Sequence, residues 1–155
     1  MPKLTLIWTG PMEEGETDQI KPLFSNRGWG ADIKTFQQKG LPTPDSTLSI
    51  ILKGFDLADI ATDPFLWENF LSALADTWEA LRRRRPHRQI KAWIRADWEG
   101  NGVAISLPEE LQTLRAFVKN LREFLLANHE TLKTNIVTMS PGPNAEIRSE
   151  IIPGA

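Results

Sequence analysis

Apolar and polar residues alternate in several stretches of the chain, which is the pattern of β-strands that bury one face. The N-terminal run from Lys3 to Thr9 places Leu4, Leu6 and Trp8 on one side. The run from Gln89 to Trp98 alternates in the same way. Shorter apolar runs predict strands at 31–36, 47–53 and 103–105, and residues 135–139 could add an edge strand. The pattern predicts a mixed or antiparallel sheet of about five strands.

Two longer segments carry apolar residues at spacings of three and four, the period of an amphipathic helix. The first runs from about residue 63 to residue 84 and opens with Asp63 and Pro64, a capping oxygen followed by a first-turn proline. The second ends near Ala127, and Ser106 and Glu109 before it have the spacing of a capping box. Packing these helices on one face of the sheet predicts a two-layer α+β fold.

The length of 155 residues fits one domain. Residues 1–139 carry the periodic elements and are predicted to form that domain, whereas 140–155 begin with a Pro- and Gly-rich stretch and are assigned to a linker and C-terminal tail. Residues 20–24 predict either a short helix interrupted by Pro22 or an ordered loop.

The amino-acid composition indicates a folded globular protein and excludes the kinds of site that need cysteine. Hydrophobic residues make up 41% of the chain, as in ordinary globular proteins, and there is no cysteine. Disulfides, thiol nucleophiles and cysteine-bound metals are therefore excluded, and a reducing cytoplasm is the expected location. No stretch has the length and hydropathy of a membrane span, and the N-terminus lacks a signal-peptide core. We expect a soluble protein without a membrane partner.

Charge is distributed unevenly although the net charge is only −2. Residues 54–81 contain carboxylates and no Lys or Arg, and the segment that follows reverses this balance. Its cations are Arg82, Arg83, Arg84, Arg85, Arg88, Lys91 and Arg95. Segments of opposite sign could pair between two copies of the chain.

Trp93 alternates with Lys91 and Arg95, so these three side chains share the strand face opposite the apolar one. Together with the preceding arginines they form a candidate docking surface for an anionic partner, with Trp93 available for stacking. The alternative is that Trp93 and the aliphatic stems of its neighbours simply cover the outside of the sheet. Nucleic acid is the less favoured partner, because the pI is about 5.7.

Two further segments are candidate contacts. Trp29 stands between Gly28 and Gly30, which suggests either an aromatic anchor on a flexible loop or a ring that folds back onto the sheet. The tail carries Ile147, Ile151 and Ile152, which could add a strand to a neighbouring sheet.

Catalytic signatures are weak. The chain has no phosphate-binding glycine loop and no nucleophile elbow, and His87 and His129 are expected at a turn and at a helix end. Asp56, Asp59 and Asp63 could bind Mg²⁺ or Ca²⁺, but acidic residues at such spacings are also common at helix starts. We predict no catalytic residue, no metal ligand and no cofactor.

The order of elements supports one family resemblance. An N-terminal strand, an apolar helix ending in Arg82–Arg85, a basic strand over Ile90–Arg95 and a closing helix are arranged as in the "effector-associated constant component" domains of bacterial conflict systems. Residues 1–128 resemble those small α+β domains. The resemblance implies a non-catalytic adaptor and supplies no functional residues to transfer.

The predicted function is a cytoplasmic protein-interaction or adaptor module, acting on a protein partner or on itself. Two alternatives remain open. One is a small divalent-metal-dependent hydrolase or nuclease that uses the three aspartates. The other is a nucleic-acid-binding domain that uses residues 82–95.

Overall fold

The computed structural model describes residues 3–10, 16–37, 46–53, 55–82, 91–98 and 101–153. Within these ranges the strands are β1 (Lys3–Gly10), β2 (Ala31–Gln37), β3 (Ser46–Lys53), β4 (Lys91–Trp98), β5 (Asn101–Ser106), β6 (Asn135–Pro141) and β7 (Ile147–Pro153). The helices are α1 (Glu16–Ser25), α2 (Leu57–Thr62), α3 (Pro64–Arg82), α4 (Leu111–Ala127) and α5 (His129–Thr134). The α+β class is confirmed. The predicted numbers of strands and helices are too small, because α2 and α5 have only six residues each, β7 was assigned to a tail, and the α1 segment was left open as helix or loop.

The strands form one mixed, 7-stranded sheet in the order β2-β3-β1-β4-β5-β6-β7. Neighbouring strands run antiparallel except β5 and β6, which are parallel. A parallel pair needs a long crossover connection, and α4 and α5 lie in the connection between these two strands.

Strand β1 is central and pairs with β3 on one side and β4 on the other. Leu6 faces Ile50 across one ladder and Ile94 across the other, and all three side chains are fully buried. Because side chains alternate along a strand, this register places the apolar sets of three strands on one face. The inward-facing residues predicted for β1 are confirmed, and so are Ala92, Ile94 and Ala96 of β4; Ile90 and the side chain of Trp98 lie outside the described part of the chain.

Helices α3 and α4 supply the second layer. Their predicted apolar stripes are confirmed: the stripe residues are buried in the same core cluster as Leu4, Leu6 and Trp8 of the sheet, except Leu111, which is half-buried and packs against that cluster. The set includes Trp67, Phe70, Leu74 and Trp78 of α3 and Leu114, Phe117, Val118, Leu121 and Leu125 of α4. Across the described ranges, every helix falls short of the combined length and hydropathy needed to cross a membrane.

The two helix starts differ from each other in how well the sequence predicts them. Helix α3 begins at Pro64, and the Asp63 carboxylate accepts from the backbone N–H groups of Phe65 at 2.9 Å and Leu66 at 3.3 Å, as expected of an N-cap. The capping box predicted for the second helix is wrong. The Leu107 N–H donates to the Ala92 carbonyl at 2.9 Å, which continues the β4–β5 pairing past the end of β5 and delays α4 until Leu111.

The segment around Pro22, for which the sequence left a short helix or an ordered loop open, belongs to helix α1. Pro22 lies inside the helix. The helix ends in a Schellman motif: the Trp29 N–H donates to the Phe24 carbonyl at 3.0 Å and the Gly28 N–H to the Ser25 carbonyl at 3.1 Å. Gly28 has a φ of 85°, the left-handed conformation that this motif requires. The Trp29 segment is therefore a hydrogen-bonded helix stop, and the chain enters β2 directly from it.

Residues 140–155, assigned from sequence to a linker and tail, include β7. This strand pairs with β6 without interruption from Pro141–Ile147 to Asn135–Pro153. The turn between them is closed by Glu146, whose carboxylate accepts from the Asn144 N–H at 2.7 Å. The apolar residues of the tail thus add a strand to the chain's own sheet, and β6 becomes an internal strand.

The substitution Gly28→Ala is expected to lower the free energy of unfolding by about 1–2 kcal/mol, because an L-residue is strained at this φ. Gly30→Ala is the matched control: a Cβ at either glycine would meet no atom within 4 Å, and of the two only Gly28 has a positive φ. The control should change stability by less than about 0.5 kcal/mol. Urea denaturation followed by circular dichroism measures both, and equal losses would contradict a backbone origin.

Candidate functional site

The face of the sheet opposite the core, called the outer face below, carries no described helix. Its side chains belong to the strand positions that alternate with the buried ones, and on β4 they are Lys91, Trp93 and Arg95. Lys91 and Arg95 are exposed and Trp93 is half-buried. The predicted grouping of these three residues on one strand face is therefore present in the structure.

Trp93 lies near the centre of the outer face. It is paired with Ile7 of β1 on one side and Ser106 of β5 on the other. Ile7 is half-buried and does not belong to the core cluster. Thr5 and Ile51, which face each other in the next row, are only 9% exposed. The outer face therefore has an apolar centre and is not uniformly solvated.

Strand β5 adds a strip of small residues beside this centre. Its outer positions are Gly102, Ala104 and Ser106, next to the long side chains of β4. Ala104 lies opposite Arg95, and it is exposed. Because these three side chains are short, they cover the backbone of β5 less than the long side chains of β4 cover theirs.

Charged residues surround the apolar centre. The Arg95 Nε donates to the Asp97 Oδ1 at 3.1 Å, an ion pair between residues on the same strand face. Both side chains remain substantially exposed, at 64% and 37%, so solvent and salt weaken this pair. Lys91 has no ion pair within the described ranges. Its charge is available to a partner.

The rest of the predicted basic segment lies mostly outside the described residues. Arg82 is the last residue of α3. Arg83, Arg84, Arg85, His87 and Arg88 fall in the range between α3 and β4, for which the structure gives no placement. Their participation in the docking surface stays a prediction, and the described part of that surface consists of Lys91, Trp93 and Arg95.

Trp29 follows the second of its two sequence interpretations. Its side chain is 2% exposed, and its ring centroid lies 4.8 Å from that of Phe55 and 6.1 Å from that of Phe70. The Schellman motif turns the chain back over α1 and directs the ring into the core. As a correction to the anchor hypothesis, the ring is inaccessible to a partner.

Asp56, Asp59 and Asp63 do not form a metal site. The Asp56 carboxylate accepts from the Ala58 N–H at 2.9 Å and begins α2, while Asp63 caps α3. Asp59 is exposed in the first turn of α2. Across the described ranges, no three His, Cys, Asp or Glu side chains are grouped so that they could hold a metal ion. These acids serve the starts of two consecutive helices.

The sequence did not identify the exposure of Phe65, whereas it predicted His129 at a helix end. Phe65 is 87% exposed at the start of α3, and it lies off the periodic stripe that selected the core residues of that helix. His129 is located at the start of α5, where its Nδ1 lies 3.7 Å from the Glu130 carboxylate. The signal for Phe65 was its absence from the stripe, because an aromatic residue outside the buried periodicity remains in solvent.

The substitution Asp63→Ala is expected to lower the free energy of unfolding by about 1 kcal/mol, because it removes the side-chain acceptor of two helix N–H groups. Asp59→Ala removes the same charge from an exposed site without a described side-chain hydrogen bond, and should cost less than about 0.5 kcal/mol. Thermal denaturation measures both changes in stability. Repeating it with Mg²⁺ tests whether the three aspartates bind a metal ion. Stabilisation by Mg²⁺ that disappears in Asp59→Asn would restore the metal-site alternative.

Comparison with known proteins shows no match to any family model or curated protein. Among solved structures, the de novo designed protein Foldit4 is similar to this chain with a TM-score of 0.40 and 8% sequence identity. The likeness covers 63% of this chain and 97% of that chain. A similarity of this size carries no inference about function.

Proposed function

We propose that this chain is a non-catalytic protein-interaction module that binds an acidic, partly apolar segment of a partner protein on the outer face of its sheet. The observation that carries the proposal is the position of Trp93, a half-buried ring near the centre of a sheet face on which no described helix packs, between the exposed Lys91 and Arg95. An adaptor role follows from binding without catalysis.

Trp93 supplies the apolar part of the interaction. Tryptophan is among the residues that most often dominate binding energy, because a large rigid ring gains contact area at a small cost in conformational entropy. Ile7 extends the apolar area on one side. On the other side, the small residues of β5 leave room for a partner backbone to lie against the ring.

The charges favour an acidic partner segment. On the outer positions of β1, β2 and β4, cations outnumber carboxylates: Lys3, Lys34, Lys91 and Arg95 stand against Asp32 and Asp97. This excess is local, since the whole chain has a net charge of −2. Carboxylates of a partner would find Lys91 and Arg95 on either side of the ring, which fixes orientation as well as affinity.

A protein segment fits this surface better than a nucleic acid. The phosphates of a nucleic acid repeat regularly along its backbone, so a binding surface needs a continuous run of cations. The outer face interrupts its cations with Asp97, which is paired with Arg95. A peptide can place carboxylates only where the cations are. The resemblance to effector-associated constant component domains implies the same class of role, an adaptor that couples two other proteins.

A random peptide library displayed on a surface provides the test. We expect the purified protein to enrich peptides that combine Asp or Glu with apolar residues. For an enriched peptide, Trp93→Ala and Lys91→Glu should each weaken binding by about tenfold or more, as for central interface residues. Lys119→Glu, at an exposed position of α4, is the matched charge control and should leave the affinity unchanged.

The outcomes separate the proposal from its rivals. Enriched peptides without acidic character, or with equal affinity for the wild type and Lys91→Glu, would contradict it. The same proteins are titrated with a single-stranded oligonucleotide. Binding of the oligonucleotide that is steeply salt-dependent and lost in Lys91→Glu, without peptide enrichment, would favour the nucleic-acid alternative.

A further inference from the structure

Strand β7 is an edge strand with its outer side unpaired among the described residues. It pairs with β6 alone and ends the sheet. Such an edge presents a row of free N–H and C=O groups, and natural proteins usually protect it with charged side chains such as lysine, with proline or with a bulge. In strand β7 the charges are one Arg148 and one Glu150 of opposite sign, the proline is the last residue, and the register with β6 is unbroken. It also carries exposed apolar side chains, since Ile151 is 45% and Ile152 50% exposed.

We propose that β7 pairs antiparallel with β7 of a second copy of this chain, about a two-fold axis through Ser149, so that the sheet continues across a homodimer. A two-fold axis between antiparallel neighbours must be perpendicular to the sheet, because only that orientation reverses the strand and keeps its two faces. One residue of β7 must then face its own copy, and the remaining question is which one.

The charge pattern of β7 selects Ser149. Centring the axis there places Arg148 opposite Glu150 of the second copy and Glu150 opposite Arg148 of the second copy, which gives two cross-strand ion pairs. Centring the axis one residue earlier would oppose the two copies of Arg148, and one residue later the two copies of Glu150. Like charges directly opposite each other destabilise a sheet. Within the strand, only the Ser149 register makes opposite charges directly cross-strand partners.

Both charges are available for this pairing. Arg148 is 64% exposed and lies 4.0 Å from Glu146, the upper limit of an ion pair. Glu150 is exposed and has no ion pair with another described residue. Neither side chain has to leave a strong contact in order to reach the second copy.

Apolar pairing supports the same register. With Ser149 at the axis, Ile147 faces Ile151 of the second copy on the helix-covered side of the sheet. Ile147 already packs against the core cluster, so the pair extends that core across the axis. On the other side, Ile152 is the partner of Ile136, which is 41% exposed. In this register Ile152 lies opposite Glu146 of the second copy, so pairing covers part of its exposed side chain.

The dimer goes beyond the proposed function and is independent of it. Strand β7 is separated from β4 by β5 and β6 in the sheet, so Trp93 takes no part in the contact. If both hold, the dimer carries two outer faces in one continuous sheet and binds a partner with two acidic segments more tightly than either copy alone.

Charge reversal and restoration test the dimer. Sedimentation or light scattering over a range of concentrations should show dimers for the wild type. Arg148→Glu and Glu150→Arg should each raise the dimer dissociation constant by about tenfold or more, because each replaces two attractive pairs with two repulsive ones. The double variant Arg148→Glu/Glu150→Arg should restore it. Lys34→Glu, on the opposite edge strand β2, is the matched control and should have no effect.

The register has its own test because the chain contains no cysteine. Ser149→Cys introduces a single thiol that faces its own copy, with Cβ atoms about 4.5–5.5 Å apart, and should form a covalent dimer under mild oxidation. Ser140→Cys on β6 is the control and should cross-link much more slowly. A wild-type monomer at all concentrations, single variants without effect, or a double variant that fails to restore dimers would each overturn the proposal. Trp93→Ala should leave the dimer intact, because Trp93 takes no part in the contact. A failure of the dimer proposal can therefore be distinguished from a failure of the proposed function.

Discussion

The packing of the long helices on one face of the sheet is the constraint on which the rest of the structure depends. Strand β1 sets it, because β1 pairs with β3 and β4 at once and its register determines which face of both neighbours turns inward. A shift of one residue in either ladder would move Leu6 or its partners into solvent. The helices then have one surface to cover, and α3 and α4 share a single core with that surface.

The same constraint gives the outer face its character. A sheet face without helices is usually polar, and here Lys3, Lys91 and Arg95 meet that expectation. The exceptions are the half-buried Ile7 and Trp93 and the nearly buried Ile51, which lie together at the centre. These apolar residues contribute nothing to the core cluster. Their presence on the face that the core does not use is the physical reason to regard it as a binding surface.

Trp93 and Trp29 differ in how well the local sequence predicts where their side chains lie. Trp93 lies where its alternation with Lys91 and Arg95 placed it, because period-two alternation directly determines the strand face. Trp29 does not project as an anchor, because its neighbouring glycines serve a helix stop: Gly28 supplies the positive φ, and Trp29 supplies the closing hydrogen bond. The indole N–H of Trp29, like those of Trp8 and Trp67, is buried without an acceptor. The aromatic contacts with Phe55 and Phe70 offset that cost.

Periodicity in the sequence by itself determined the α+β class, the main strands, the two long helices and the inward residues of each, since these follow from spacings of two and of three to four. It also determined that Lys91, Trp93 and Arg95 share a face. Only the tertiary structure decided strand order, the burial of Trp29 and the pairing of β7 with β6. These features depend on contacts between residues distant in sequence or on a competition between local patterns. The spacing of apolar residues along the chain encodes neither the long-range contacts nor the outcome of that competition.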